Sequence, residues 1–566
     1  NHAFTKVDGV LFKQMLKMLS LDFICNYDSL ILKDTKKINK LAFALDMAVA
    51  GRSDESVWIR QAQEIRKQMT DSLIDSAFTY LPEGVKHDEI ELIKRKLKRR
   101  RLELEAVASQ YYRLLQRTPV VAGTNQSDDF LIERQAPDRT ILRIYDPETG
   151  DCRLEQQFSG RETKELWLYG LAGNDTFEVK GNTRKDFPIY LISGEGENQY
   201  QLNHNRKIHV YDKDYKYDYQ KIKYHKISFT PWGIYDSDKG ISLGTFFTYT
   251  MYGFKRAPFT YQHRIGYNYL KGFMYAGVFP NYDGRRRLYL NASISSPRNF
   301  ENFFGFGNNT AGYKEEKKNY NRVKLRTYML NPSFEMDLRK EEVVTFFGSL
   351  DMYKAKRTDD RYIYTVYGED HPIFRTNYFV GLGATYRITK QPYSWLPLLE
   401  TEWTAGWKMN LKKPERNFPY AQGSLSWNVR FSDRFTWASL MKGTVLFDND
   451  YEFYQAATID LRGFRDNRFI GKQSFYQYSD LRLDMGKLKN PFTPLKYGLF
   501  AGFDYGRVWF PGERSHSWHT SYGGGIWLTF LNKFTTKYSW FGSTDSFRFA
   551  FGLGLWSCDL LILTRY

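Results

Sequence analysis

From about residue 239 onward, apolar and polar positions alternate along the chain. In GISLGTFFTYTM, Ile241, Leu243, Phe247, Tyr249 and Met251 fall on one face. Ser242, Gly244, Thr248 and Thr250 fall on the other, with Phe246 the exception. Near the end, FRFAFGLGLW sets Phe547, Phe549, Phe551, Leu553 and Leu555 against Arg548, Ala550, Gly552 and Gly554. Successive side chains of a strand point to opposite faces, so this period predicts strands with one greasy face and one small or polar face. Segments of about ten to fifteen residues suit a tilted crossing of lipid. Strands are predicted to begin near 239, 257, 272, 286, 320, 342, 376, 395, 418, 434, 452, 474, 494, 517, 533 and 546. Their number is even, which returns the chain to the side where it began, and closing the sheet pairs every edge, as lipid requires. The expected fold class is mainly β: a 16-stranded antiparallel transmembrane β-barrel over 239–566, preceded by a helical segment and a small β-roll-like domain.

The earlier part of the chain has other periods. Residues 1–117 read as helical. Trp58, Ala62, Ile65, Met69, Leu73, Ala77 and Tyr80 recur near a 3.6 spacing, and a second long helix is predicted over DEIELIKRKLKRRRLELEAVASQYYRLL. Its basic run Lys94–Arg101 reads as a solvated helix face, or as a face toward anionic headgroups. Residues 118–232 shift to short strands and turns. There GLAGNDTFEV and ISGEGENQYQL each approximate a G-G-x-G-x-D repeat that binds calcium in parallel β-rolls. Asp175 occupies the ligand position of the first copy, and Asn198 stands where the second would have Asp. The preferred reading is a structural roll without metal, with calcium at Asp175 in the 170–200 segment as its alternative.

Composition narrows the class. Aromatic residues make up 17% of the 566 residues, with 42 Tyr and 43 Phe, which suits interfacial girdles and a wet lumen. The mean hydropathy of −0.57 is compatible with that, because half of each membrane strand faces water. No apolar run is long enough for a helical span. The formal charge of +18 fits anionic lipid headgroups, and no nucleic-acid motif accompanies it. Cys25, Cys152 and Cys558 form no CxxC pair. His204 and His209 are the closest histidine pair that could share an element, without a carboxylate cluster; His516 and His519 are expected at a hairpin facing headgroups. The chain begins at Asn1, and is expected to be processed or part of a longer precursor.

The stretch LRGFRDNRFIG, Leu461–Gly471, carries three arginines between two amphipathic strands. In YQYSDLRLDM, Asp480 shares a face with Tyr478, Arg482 and Asp484, opposite Leu481, Leu483 and Met485, so it points into a lumen. In AGFDYGRVW, Asp504 points inward too, flanked by Gly502 and Gly506, which leave clearance at the wall. Arg462 has a planar fork able to hold a carboxylate bidentately.

These three segments, in this order, resemble the BamA/TamA-type outer-membrane insertases and their secretion relatives. Leu461-Arg462-Gly463-Phe464 is similar to the family's V-R-G-[FY] loop tip, Asp480 to the acidic position of its S-x-E-L-R strand, and Gly502, Asp504 and Gly506 to its [FG]-x-D-x-G signature. The resemblance implies a tip folded back into the lumen, where Arg462, Gly463 and Phe464 lock onto Asp480 and Asp504. It also implies a lateral seam between the first and last strands, to which Gly552 and Gly554 are assigned. The implied location is the bacterial outer membrane, with the N-terminal part in the periplasm, in contact with lipids and lipopolysaccharide. Unfolded outer-membrane clients or accessory lipoproteins are the implied partners, and no nucleic acid. Periplasmic POTRA repeats are not recognisable before the barrel. The layout resembles a subgroup in which a metallophosphoesterase precedes the barrel, although its metal motifs are missing and His2 has no acidic neighbour. The two functions that follow are an insertase or translocase, not an enzyme, and an anchor for a periplasmic metallophosphoesterase. Two further expectations are a loop of about fourteen residues between its flanking strands and a barrel closing at Trp556, with a tail beyond.

Overall fold

The computed structural model describes residues 32, 35–39, 42–51, 53–80, 87–135, 137–182, 186–203, 206–211, 225–236, 238–252, 259–281, 284–310, 319–390, 398–488, 495–530 and 534–555. His2, Cys25, His204, Trp556, Cys558 and the tail lie outside them. Two compact units divide the chain at residues 224 and 225.

In the N-terminal unit the first long helix is interrupted. It runs over Glu55–Gln68 and again over Asp71–Ala77, because the Thr70 hydroxyl accepts from the Leu73 amide at 3.1 Å and caps a new start. The second divides similarly into His87–Leu102 and Leu104–Leu115. Its basic run is partly spent on ion pairs, Lys98 with Asp75 at 2.7 Å and Arg101 with Asp71 at 3.0 Å. The chain then winds between two sheets. One holds Val120–Ala122, Leu166–Tyr169, Ile189–Ile192 and Ile208–Tyr211, all parallel. The other holds Asp129–Gln135, Thr176–Gly181 and Gln199–Leu202 in parallel, widened by the hairpin Arg139–Tyr145/Cys152–Ser159. Phe130, Ile132, Leu142, Leu168, Phe177, Val179 and Leu191 fill the space between the sheets. Phe130 stacks on Phe177 at 4.6 Å, and Phe177 on Tyr200 at 5.7 Å. The outer face of the first sheet packs Trp167, Tyr169 and Ile192 against Met47, Tyr111 and Leu115 of the helices.

This is a three-rung roll. The third repeat, around Asp128, escapes the sequence pattern because GTNQSDDF has one glycine where the other copies have two. Neighbouring rungs are joined by an Asx ladder. The Asp128 amide donates to Asp175 Oδ1 at 2.9 Å, and the Asp175 amide donates to Asn198 Oδ1 at 3.0 Å. Asp175 is wholly buried and its Oδ2 has no hydrogen-bond partner. Burial above all pushes its carboxyl up to about 7, with the Asp128 and Asp129 carboxylates adding to the rise.

The second unit is a closed antiparallel barrel of sixteen long strands. Numbered in chain order, they are β1 His225–Asp236, β2 Gly240–Met251, β3 Tyr261–Asn268, β4 Gly272–Pro280, β5 Arg286–Ser295, β6 Arg322–Arg339, β7 Glu342–Ala355 and β8 Asn377–Lys390. The second half comprises β9 Leu398–Asn410, β10 Lys413–Arg430, β11 Phe435–Leu446, β12 Gln473–Leu488, β13 Leu495–Trp509, β14 His519–Phe530, β15 Phe534–Gly542 and β16 Phe547–Leu555. Ile241, Leu243, Phe247, Leu350, Leu382 and Trp403 point outward and are exposed, forming an apolar belt. The inner wall carries charge: Lys408 meets Asp351 at 2.8 Å, and Glu335 takes Arg287 at 2.7 Å and Arg387 at 3.3 Å. Apolar outside and charged inside is the pattern of a barrel in lipid.

Two strand assignments change. The barrel begins at His225 rather than 239, so 225–232 belong to it and not to the small domain. The segment near 452 is no wall strand; it forms a 3₁₀ turn, Phe453–Gln455, and a two-residue strand, Ala457–Thr458. The β11–β12 loop therefore spans 447–472, longer than the fourteen residues expected, because its aromatic alternation serves an interior cap. Phe453 and Ile470 pack with Phe303 of the β5–β6 loop, Ile363 and Phe374 of the β7–β8 loop, and Tyr353 of the wall. This cluster covers the mouth opposite the one where β1 begins.

Candidate functional site

Leu461–Phe464 forms a tight turn, closed by the Phe464 amide donating to the Leu461 carbonyl at 2.9 Å. Leu461 and Phe464 anchor it in an apolar cluster with Ile459, Phe469, Tyr476 and Val508. Between these two anchors Arg462 points at the wall. Its amide donates to Asp504 Oδ2 at 3.0 Å, its Nε to both Asp504 oxygens at 3.1 Å, and its Nη1 to Asp480 Oδ1 at 2.6 Å. Nη2 also pairs with Asp504 Oδ1. The guanidinium lies 3.9 Å from the centre of the Phe541 ring and 5.3 Å from that of Tyr478. Asp504 accepts as well from the Ser521 hydroxyl at 2.9 Å, while Asp480 faces Arg482 at 3.4 Å and Lys537 at 3.6 Å. One tip arginine thus satisfies two carboxylates that are 0% and 2% exposed.

The glycines explain the close approach. A Cβ on Gly502 would lie 2.7 Å from Arg462 Nη2 and 2.8 Å from Asp480 Oδ1. One on Gly506 would meet Tyr476 Cβ at 2.6 Å, and one on Gly463 would meet Ser521 Cβ at 2.7 Å and the Gly542 carbonyl at 2.9 Å. Gly463 gives clearance rather than a left-handed turn. His519 faces inward, its ring stacked on Phe469 at 3.5 Å, not toward headgroups; His516 is exposed.

The rest of the tip makes contacts that the sequence reading missed. On one side, the Ser543 hydroxyl donates to the Gly463 carbonyl at 2.7 Å, Arg548 donates to the Phe464 carbonyl, and Arg468 pairs with Asp545. On the other, Arg465 pairs with Asp238 and Lys239 meets Asp466 at 2.9 Å. Residues 543–548 belong to the β15–β16 hairpin, and 238–239 to the β1–β2 turn. Between these two hairpins lies the junction of β1 and β16, so the six residues Gly463–Arg468 bridge the place where the barrel closes. The signal available was the acids of DSDKG and STDS, two turns far apart in sequence.

At that junction, among the described residues, β1 pairs with β16 over four positions, Gly233 to Asp236 against Leu553 to Ala550, whereas β1 and β2 pair over twelve. Gly552 lies in it opposite Ile234, and a Cβ there would meet nothing within 4 Å. Gly554 pairs with Thr535 of β15, and among the described residues no partner on β1 is seen for it. Asp175 lies in the other unit, in the ladder of the roll. No cluster of three or more metal-ligating side chains occurs among the described residues.

No family model matches the chain, and no curated protein does. Among solved structures, CdiB from Escherichia coli aligns with 58% of this chain and 63% of its own, at 10% identity and a TM-score of 0.41. BamA from Haemophilus ducreyi lacking POTRA domains 1–3 aligns with 61% of this chain and 72% of its own, at 12% identity and 0.41. CdiB from Acinetobacter baumannii aligns with 59% and 60%, at 12% and 0.37. The chain spans less than two thirds of either CdiB.

Proposed function

We propose that this chain is an outer-membrane barrel of the BamA/TamA-type superfamily that assists insertion or export of outer-membrane or surface proteins through its lateral seam, with the N-terminal unit in the periplasm. The observation that carries this reading is the junction of β1 with β16, which pairs over four positions among the described residues. A junction held by few rungs can part, and a parted sheet edge is a template for another strand. A client strand pairing there would satisfy the exposed amides and carbonyls, then pass sideways into lipid. The aromatic cap over the far mouth supports a sideways route over conduction along the axis. In this reading the chain performs no catalysis, holds no metal, and meets unfolded barrel proteins or accessory lipoproteins. The cap also suits the second reading, an anchor of the metallophosphoesterase-linked subgroup, which needs no seam opening.

The test is a reversible lock. After the native cysteines are replaced by serine, Tyr235→Cys and Phe551→Cys place two thiols at a directly paired position of the junction. Oxidation is expected to stop assembly of a reporter barrel in proteoliposomes, and reduction to restore it. Assembly at an unchanged rate with the lock closed would overturn the insertase reading and leave the anchor.

A further inference from the structure

Four cations stand together on the outer face of β6 and β7. Lys324 and Arg326 of β6, Lys354 of β7 and Lys356 just past its end are all exposed. Register sets Arg326 opposite Lys354, and the Lys356 amide donates to the Lys324 carbonyl at 2.9 Å. The side chains therefore form two adjacent rows. Opposed residues in a sheet have Cβ atoms about 5 Å apart, and like charges so placed repel. Among the described residues none of the four forms an ion pair; Asp370 of the β7–β8 loop, an acid close in sequence, takes Arg357 instead. Such a cluster of like charges is stabilised by an anion that binds across it.

What lies beside the cations identifies the anion. On the same outward rows the next positions are Tyr328 against Met352 and Leu330 against Leu350. Tyr328, Leu330 and Leu350 are exposed and belong to the apolar belt. The cations begin where that belt ends, at the mouth opposite the start of β1. Flanking them, Lys412 Nζ sits 5.1 Å above the Tyr378 ring and the Arg298 guanidinium 4.1 Å above the Tyr269 ring. Such pairs of an amphipathic ring and a cation mark the level of headgroups. A ligand for this patch must carry several negative charges and acyl chains on one molecule. A phospholipid with a single phosphate would leave most of the cations unmatched.

We propose that Lys324, Arg326, Lys354 and Lys356 bind the phosphates of a phosphorylated saccharolipid of the outer leaflet, of the lipopolysaccharide type, whose acyl chains lie along Tyr328, Leu330, Leu350 and Met352. Arg326 supplies the planar fork that holds a phosphate bidentately, and the three lysines supply point charge. The patch rests on the outer-membrane reading above but not on seam opening, so a binding measurement on purified protein separates the two.

The experiment uses the full chain in nanodiscs of neutral phospholipid doped with lipopolysaccharide, with its dephosphorylated form, or with phosphatidylglycerol, and retained lipid is counted by native mass spectrometry. The combined Lys324→Gln, Arg326→Gln, Lys354→Gln and Lys356→Gln variant is expected to lose lipopolysaccharide retention by roughly tenfold or more. A control with Arg339→Gln, Lys340→Gln, Arg430→Gln and Arg434→Gln, at the opposite mouth, is expected to retain it fully. Dephosphorylated lipid should be held weakly by the unaltered protein. Equal retention by the two variants would overturn the proposal. So would retention of phosphatidylglycerol equal to that of lipopolysaccharide, which would reduce the patch to a general anion surface. Heat-modifiability reports folding. If the fourfold variant does not fold, the Arg326→Gln/Lys354→Gln pair carries the same test with a smaller expected loss, of about threefold.

Discussion

Phe177 in the roll and Phe247 in the barrel are both strand phenylalanines in an apolar row, and they meet opposite fates. Phe177 is wholly buried between two sheets, while Phe247 is 46% exposed on the outer wall. The buried positions inside the barrel hold Asp351, Asp480, Asp504 and Arg548, whereas the space between the sheets of the roll is filled by apolar side chains. The two regions obey one rule in different solvents. In the roll, apolar area leaves water by packing against other protein. In the barrel it leaves water by facing lipid, and the interior is free to hold charge wherever partners are fixed.

Removing a fixed partner should therefore be the most costly change. Arg462→Ala strips two buried carboxylates of their shared cation, and a loss of about 3–5 kcal/mol is expected, read as lower unfolding resistance in urea and earlier loss of heat-modifiable mobility. The near-complete burial of Asp480 and Asp504 sets this range, above what a pair in a wet lumen would cost. Adding Asp480→Asn and Asp504→Asn should restore part of the stability, since neutral amides tolerate burial better than unpaired carboxylates. An Arg462→Ala barrel as stable as the original would mean that the lumen supplies its own counter-ions.

The next change attacks the comparison itself. Leu382 of β8 is 62% exposed and Leu73 of a helix in the N-terminal unit is 54% exposed. In one solvent, lysine at either would be harmless. If Leu382 faces lipid, Leu382→Lys should cost about 2–4 kcal/mol, whereas Leu73→Lys should stay within about 0.5 kcal/mol. Folding titrations of both variants into lipid vesicles decide it. Equal and small effects would put the belt in water.

How far the sequence revealed this is plain from particular segments. The period of two gave the barrel and most of its strand starts, because lipid outside and water inside force alternation on every crossing. β1 was missed since HKISFTPWGIYD puts Pro231 in its middle. The false strand near 452 had the right period for another reason: its aromatics alternate against the cap. Asp480 and Asp504 could be found because their strands fix which way they point, and Arg462 because its turn sequence resembles a known loop tip. The contacts of Arg465 and Arg468 could not, since Asp238 and Asp545 sit in turns whose proximity appears only once the barrel closes.

Asp175 gives the finest test: of the charged groups buried in the roll, Asp128 pairs with Arg153 and Arg134 with Asp186, while Asp175 Oδ2 has no hydrogen-bond partner. Its ladder neighbour Asn198 fills the equivalent place with an amide, so the position accepts one. The carboxyl is raised from 3.8 to about 7, so between about pH 4 and pH 7 the folded roll keeps a proton there that the unfolded chain releases. The folded state binds more protons in that window, and stability must fall as pH rises through it, then level off above pH 7. Asp175→Asn keeps Oδ1 as acceptor for the Asp128 amide and cannot ionise. It should stabilise the roll by on the order of 1–3 kcal/mol at pH 8, the range for a buried polar group relieved of an unmet demand, and do little at pH 4. Hydrogen-exchange protection of Phe177 to Val179, corrected for intrinsic rates, measures this within the full chain. A loss of protection at pH 8 in the variant would instead mean that the charged form is the one the roll was built to hold.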